Sequence, residues 1–401
     1  MAKILAINAG SSTLKWRLFA MPEETLLAKG LIDRMGMRQS TITMDVAGKR
    51  VISREQDMPS TAAAVAAVMN ALKESGVITD LAELQGVGHR IVAGGEIFAE
   101  SAVLTPTRLA QVDALAEFAP LHNPPEAAAV RAFAQRLPQV PQVGVFDTAF
   151  HTSMPAMNYL YAIKREYYEQ YGARKYGAHG TSHRYVVGRA AAMLERPLSD
   201  LRLVSMHLGS GSSVTAIKNG HSFDTSMGFT PVAGVTMSTR SGDIDPSLVA
   251  FLMQKKHLRD PQKMIDELNR ESGLLALSDL SPDMRELEAT AATREQSQLA
   301  LDVFANRVIK YVAGYIAELG GADALIFTAG IGEADAAMRA RIAAGLAVFG
   351  VQLAPAQNAS AKGETVISTP DSRIPVLMIP TNEELMIARD VQRLTSPEER
   401  Q

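Results

Sequence analysis

The sequence predicts an α/β protein of two domains built on a repeated core. Three observations lead there. A strand, a small-residue turn and a second strand occur twice, about two hundred residues apart, around "NAGSS" (8–12) and "GSGSS" (209–213). Strand-like and helix-like segments alternate through the second half. The chain has 401 residues, more than one ordinary core accommodates.

The elements follow in order. Residues 3–7 form a short apolar strand that ends in the first turn. Leu14, Trp16 and Leu18 then alternate with Thr13, Lys15 and Arg17. That is the period of a half-buried strand, and it stands Lys15 beside the turn, away from the core. Residues 26–32, 41–46 and 50–54 predict further strands. Residues 60–74 predict a helix capped by Ser60 or Thr61. Residues 87–92 predict a buried strand leading to Gly94 and Gly95, and residues 142–146 a strand ending at Asp147. Residues 106–118 and 125–136 have helical composition. In the second half, strands at 201–207 and 214–218 flank the repeated turn. A strand at 324–328 runs into "AGIGE" (329–333), expected as a third small-residue turn, and then an Ala/Arg-rich helix. Residues 376–379 predict the last strand, and "PTNEEL" opens the last helix. Residues 299–319 predict an apolar helix that suits a subunit interface or core packing equally. With no Pro/Ser-rich linker between the halves, a wide domain interface is expected.

Composition narrows the function. Charged residues are 21% and the net charge is -3, so nothing draws the chain to nucleic acid or a membrane surface. There is no cysteine, which excludes disulfides, thiolate metal sites and cysteine nucleophiles. The first apolar stretch is too short for a signal-peptide core. No segment approaches the roughly 18 apolar residues of a membrane helix. A cytoplasmic protein acting on small molecules is expected.

Backbone N–H groups in a glycine-rich turn form an anion nest, serine hydroxyls add donors, and a following lysine adds charge. A solvated hairpin turn explains any one of these stretches alone, and "NAGSSTLK" lacks the Walker order. Three such turns, each after a strand, point to a bound nucleotide. Arg90 in "GHRIVAGG" lies at a strand end next to glycines, and Arg240 in "TRSGDIDP" lies in a turn-rich loop. A surface ion pair accounts for either one, but two planar guanidinium forks also suit a transferring phosphoryl group. His179 and His183 have the i,i+4 spacing of a metal pair but lack the acidic HExxH context and a third ligand. His122 sits in a rigid Pro-bounded loop, "PLHNPP". Each histidine is either structural or a donor to phosphate or carboxylate oxygens. Asp147 at a strand end suits metal or substrate positioning, with helix capping as the alternative. Glu383 is most simply a first-turn residue complementing a helix dipole. Magnesium takes few protein oxygens, so Asn8 and Glu383 would suffice for it.

Nine ordered motifs, "NAGSSTLK", "GHRIVAGG", "PLHNPP", "FDTAFH", "YGAHGTSH", "HLGSGSSV", "TRSGDIDP", "FTAGIGE" and "PTNEEL", resemble those of the acetate kinase family from about residue 3 to 390. The resemblance implies a two-domain actin/Hsp70-like (ribonuclease H-like) fold with a duplicated core and a nucleotide cleft between domains. Residues 1–149 with a returning 384–401 would form one domain and residues 150–383 the other. It implies direct in-line phosphoryl transfer from ATP to acetate, giving acetyl phosphate and ADP, with Mg2+ or in its place Mn2+, by a cytoplasmic homodimer. Asn8 and Glu383 would hold the metal. Ser11, Ser12 and Lys15 would lie near the phosphates. Arg90 would bind the substrate carboxylate, and Arg240 and His179 would stabilise the transferring group with His122 close by. Asp147 would be the essential carboxylate. Acetate is already ionised at neutral pH, so positioning suits Asp147 better than general-base work. His207, Leu208, Gly209, Ser210 and Gly211 would line the phosphates. Asp283, Met284, Arg285, Gly330, Ile331, Gly332, Glu333 and Ala334 would contact the adenosine. Val92, Leu121, Ala178 and Pro231 would wall the methyl pocket.

The chain departs from the family pattern at four places. Ala93 stands for a usual His, Ala178 for Phe, and Ser210 and Ala334 for Asn. Ala178 opens the choice between acetate and propionate, because one methylene discriminates by only about 1–3 kcal/mol. Ser210 and Ala334 bear on the phosphoryl donor. The competing readings are a propionate or other short-chain acyl kinase and a non-catalytic nucleotide-binding protein of the actin/Hsp70 type.

Overall fold

The computed structural model describes residues 2–396; residue 1 and residues 397–401, which the first expected domain includes, lie outside them. The chain divides into two compact units, Met1–Phe150 with Asn382–Gln401, and His151–Thr381.

The first unit carries eight strands, β1 (Ala2–Ala9), β2 (Leu14–Met21), β3 (Thr25–Asp33), β4 (Thr41–Val46), β5 (Lys49–Glu55), β6 (Leu84–Ile91), β7 (Ala102–Val103) and β8 (Gln142–Phe146). They form one sheet in the order β5-β4-β3-β2-β1-β6-β8-β7. The second unit carries β9 (Arg202–Leu208), β10 (Ser212–Lys218), β11 (His221–Thr225), β12 (Ala324–Thr328), β13 (Thr365–Val366) and β14 (Val376–Met378). Their order is β11-β10-β9-β12-β14-β13. In the first sheet β1, β2 and β3 are antiparallel neighbours, and β6 and β8 extend the sheet parallel to β1. In the second, β9, β10 and β11 are antiparallel, and β12 and β14 extend it parallel to β9. So β3-β2-β1-β6-β8 and β11-β10-β9-β12-β14 share order and direction. The repeat read from two five-residue turns is a repeat of five strands.

Local sequence explains the elements that place the site. On β2, Leu14, Trp16 and Leu18 are buried while Lys15 is exposed, as the alternation requires. The Thr61–Glu74 helix starts where the Ser60 hydroxyl accepts the Ala63 N–H, a cap worth about 1 kcal/mol. Its Ala64, Val65, Val68 and Leu72 pack in one cluster with Leu5 and Ile7 of β1. The Glu383–Thr395 helix lies against β6 because that strand carries Gly86 and Gly88. A Cβ at either would come within 2.3 Å of Val391 or Ile387. Two missing side chains thus bring this helix close to the strand that carries Arg90.

Three segments differ from expectation. The helix expected from residue 125 begins at Asn123. Proline is tolerated in a first helical turn, where the missing N–H has no partner anyway, so His122 takes the N-cap position rather than a loop. The helix expected over 106–118 ends at Ala114 and tightens into a 3-10 turn, Leu115–Glu117. "AGIGE" is no turn but a short helix, Ala329–Ala334, entered through Ala329 at φ +64°. The buried Arg339 guanidinium donates to the carbonyls of Gly332 and Glu333 at 3.0 and 2.9 Å and so satisfies the end of that helix. The apolar Glu295–Glu318 helix serves the core. Its Ala300, Leu301, Phe304, Val308 and Val312 are fully buried in the second unit's main cluster. Among the described residues no helix is long and apolar enough to cross a membrane.

His89 on β6 ties stability to pH. Its Nε2–H donates to Gln142 Oε1 at 2.8 Å, and the Gln142 amide is oriented by donating to the Val140 carbonyl. Nδ1 is buried without a partner, so a second proton has nothing to bind. Burial, against the hydrogen bond to Gln142, lowers this histidine from 6.5 to about 4. An unfolded chain takes up the proton that the folded one refuses. The stabilising preference for neutral His89 is therefore complete above pH 6.5 and is lost as pH falls towards 4, a change of about 3 kcal/mol. We expect His89→Gln to flatten the loss of melting temperature between neutral pH and pH about 5. An unchanged slope in thermal melts would contradict it.

Candidate active site

In the first unit, Asn8 lies near the end of β1 and pairs in register with Lys15 on β2. Ser11 and Ser12 form the bend between them, where the Gly10 N–H donates to the Thr13 carbonyl at 2.8 Å. Arg90 lies near the end of β6, and Asp147 follows β8, the parallel neighbour. Nε and NH2 of Arg90 donate to the same Asp147 oxygen at 3.0 and 2.6 Å. Asp147 is 1% exposed, and its backbone N–H donates to the Ile91 carbonyl at 2.9 Å. Arg90 NH1 reaches Asn8 Oδ1 at 3.5 Å. Burial works against the Arg90 charge, but Asp147, Glu383 and Glu126 outweigh it and raise the guanidinium above its ordinary value. Glu383 opens the last helix. Burial, countered by Arg90 and aided by Asp147 and Glu384, pushes its carboxyl up to about 7, with Lys15 close enough to draw it down. The structure thus brings Asn8, Lys15, Arg90, Asp147 and Glu383 to one end of this sheet. Val92 is buried just beyond β6, whereas Leu121 is 48% exposed.

In the second unit the repeated turn lies at the rim of a cavity of about 910 Å³. Gly209, Ser210 and Gly211 line it with Arg240, Asp283, Met284, Arg285, Gly330, Ile331 and Ala334. A Cβ on Gly330 would meet nothing within 4 Å, so the backbone there leaves the cavity open. Asp283 caps the helix it precedes and pairs with Arg285 at 2.6 Å. His207 and Leu208 end β9, and both are buried. Gly332 packs against Phe327, and Glu333 accepts the Thr381 N–H at 3.0 Å, so these two serve the framework. Pro231 is half-buried in the loop before Arg240. Ala178 is 3% exposed, clustered with Met227 and Met237, and its carbonyl accepts from His151 Nε2 at 2.9 Å.

The decisive geometry is at Gly211. A Cβ built there would stand 3.3 Å from His179 Nε2 and 3.5 Å from Arg240 NH1. Two donors from different segments therefore converge on the turn, as a group carrying several negative oxygens needs. His179 reaches it from the N-cap of the Gly180–Met193 helix, in the left-handed region at φ 60°, and its ring stacks on His207 at 4.1 Å.

Sequence reading missed several residues. Glu126 is buried and accepts the Val92 N–H at 3.0 Å. Burial, opposed by that bond and by Arg90, pushes its carboxyl up to about 8. Asn123 accepts from the Ala93 N–H and donates to the Ala93 carbonyl, at 3.1 and 3.0 Å. Both belong to the first turn of a helix whose polar side chains read as ordinary N-terminal composition. Arg339 looked like one more cation on an Ala/Arg-rich helix.

The model of the Acetokinase family matches residues 3–389. Acetate kinase 1 of Latilactobacillus sakei is 55% identical over 394 residues, 98% of this chain and 100% of that protein. This chain belongs to the acetokinase family. The solved acetate kinase of Porphyromonas gingivalis superposes with a TM-score of 0.93 at 39% identity, over 99% of this chain and 100% of that one. The propionate kinase of Francisella tularensis does so with the same TM-score at 37% identity, over 98% and 100%. The acetokinase fold therefore holds for nearly all of the described residues.

The donor set of the first unit suits a magnesium ion. Asn8 and Glu383 offer hard oxygen ligands, and three carboxyl groups (Asp147, Glu383 and Glu126) face Arg90, two of them raised chiefly by burial and further by Asp147. A divalent cation would offset that crowding. Among the described residues there is no group of three or more His, Asp or Glu that could hold a metal ion by itself, so water and phosphate oxygens would complete the coordination. Gly211→Ala tests the convergence. Its backbone is not in the left-handed region, so the added methyl fills the space before His179 and Arg240 without main-chain strain. Turnover should fall about 100-fold, the usual effect of blocking such donors, with the melting temperature unchanged. Wild-type turnover would show that nothing reacts over that turn.

Proposed function

We propose that this acetokinase catalyses reversible transfer of the terminal phosphoryl group of ATP to acetate, giving acetyl phosphate and ADP directly, without a phosphorylated enzyme. The observation that carries the proposal is the convergence of His179 Nε2 and Arg240 NH1 on Gly211, at the rim of a cavity of nucleoside size. In this reading the cavity takes the adenosine between the Asp283–Arg285 and Gly330–Ala334 segments. The glycine-rich turn takes the phosphates. Arg240 and His179 donate to the oxygens of the transferring group, where charge accumulates as it leaves ADP.

In the first unit Arg90 takes the acetate carboxylate. Its pairing with Asp147 leaves the NH1 side of the guanidinium turned towards Asn8. Acetate is ionised at neutral pH, so no base is needed, and Asp147 acts by fixing Arg90. His122 lies at the start of the helix whose Glu126 and Asn123 hold the main chain at Val92 and Ala93. In this reading Val92 and Leu121 border the methyl group, and Ala178 and Pro231 are the residues of the second unit that the family resemblance assigns to it. Asn8 and Glu383 would hold Mg2+, or Mn2+ on the same oxygens, and the bound ion supplies positive charge to the phosphate oxygens. Lys15, Ser11 and Ser12 add charge and donors beside it. The reaction is assigned to the cytoplasm and to a homodimer. An exposed apolar surface on the second unit, with Met157, Ile163, Tyr167 and Tyr171, suits the second copy.

A propionate preference is the second reading. Ala178 and its methionine neighbours favour it, since Met227 and Met237 are adaptable fillers that accommodate a longer acyl chain.

Arg240→Ala should lower kcat at least about 100-fold while the Kd for ATP shifts by only a few-fold, because the guanidinium acts on charge that develops in the transition state. Equal losses in the two, by initial rates and calorimetry, would contradict its role. Ala178→Phe should reduce kcat/KM for propionate relative to acetate by about tenfold, the scale of one methylene in a pocket. An unchanged ratio would place residue 178 outside the pocket.

A further inference from the structure

The His179–His183 spacing, one helical turn, has a use other than metal binding. His183 is fully buried between two serine hydroxyls. Its Nδ1 lies 2.9 Å from Ser205 Oγ and its Nε2 2.8 Å from Ser213 Oγ. The same Ser213 oxygen lies 3.0 Å from His179 Nδ1. Ser205, His183, Ser213 and His179 thus form one line of hydrogen bonds, and both serines are 0% exposed.

The direction of that line follows from its closed end. Burial, with His151 and His207 nearby, holds His183 well below its ordinary value, so its ring is neutral. A neutral imidazole has one N–H and one bare nitrogen. Among the described residues the Ser205 hydroxyl has His183 as its sole hydrogen-bond partner. If it accepted from His183, its own proton would be buried unpaired, which is costly. It therefore donates to His183 Nδ1. That places the His183 proton on Nε2, which donates to Ser213 Oγ. The Ser213 hydroxyl then donates to His179 Nδ1. His179 is left with its proton on Nε2, the nitrogen that faces the Gly211 turn.

We propose that Ser205, His183 and Ser213 are positioning residues that fix the tautomer of His179, so that it presents Nε2–H to the transferring phosphoryl group. This rests on the assignment of His179 to that group. A histidine fixed this way is a permanent donor and cannot act as a base at Nε2. The neighbours of the line are the stacked His207, His151 at 6.0 Å from His183, and Arg240 beside the same turn.

The test is nitrogen NMR on the intact, histidine-labelled enzyme. Both His179 and His183 should show a protonated Nε2 and a bare Nδ1 at neutral pH. A proton on His183 Nδ1 would overturn the proposal, and this needs no variant. Ser205→Ala should then release the His179 tautomer and lower kcat about tenfold or more, as wrong-tautomer histidines do, with KM for ATP and acetate little changed. An unaltered His179 spectrum in Ser205→Ala would also overturn it. His179→Ala separates the two ideas. Full turnover there would sink the assignment of His179 to the phosphoryl group, whatever the spectra show.

Discussion

Asp147 is almost wholly buried, and one of its carboxyl oxygens accepts from both Nε and NH2 of Arg90. That pair is the constraint on which the chemistry proposed for the first unit depends. Breaking a buried pair leaves one charge uncompensated and costs about 3–5 kcal/mol, so the two side chains hold each other in place. The backbone makes the pairing possible. β6 and β8 are parallel neighbours whose ends leave Arg90 and Asp147 side by side, and the Asp147 N–H donates across to Ile91. A guanidinium held from one side by a carboxylate keeps its orientation when a second carboxylate arrives. Glu126 and Asn123 extend the same logic to the main chain beyond Arg90.

The second unit repeats the topology with a different chemical solution. Its turn lies against imidazoles and buried hydroxyls. Neutral groups suit that place. In the proposed function they orient donors towards phosphate oxygens without burying carboxylates that would repel them. In the proposed function one strand arrangement thus supplies two anchoring points, one governed by paired charge and one by the direction of hydrogen bonds.

Much of this was legible in the sequence because it rests on local pattern. The strand–turn–strand repeat, the alternation that exposes Lys15, and Arg90 and Asp147 at strand ends depend on spacing alone. "AGIGE" was misread because its glycines suggest a turn, whereas the helix there is closed by Arg339, which lies beyond the motif. Glu126, Asn123 and Ser205 went unseen for a related reason. Their partners lie tens of residues away, and no spacing rule marks a carboxyl or hydroxyl as buried. The departures at Ala178 and Ser210 were visible as letters. What surrounds them, two methionines in one case and the open cavity in the other, required the fold.

Carboxylate phosphorylation can be read most directly by trapping the product. The enzyme would be incubated with Mg-ATP, hydroxylamine and, separately, acetate, propionate and butyrate, with hydroxamate and ADP both quantified. Acetyl hydroxamate should form in step with ADP, and faster than the longer acyl hydroxamates. ATP binding with no hydroxamate from any of the three acids would contradict the account.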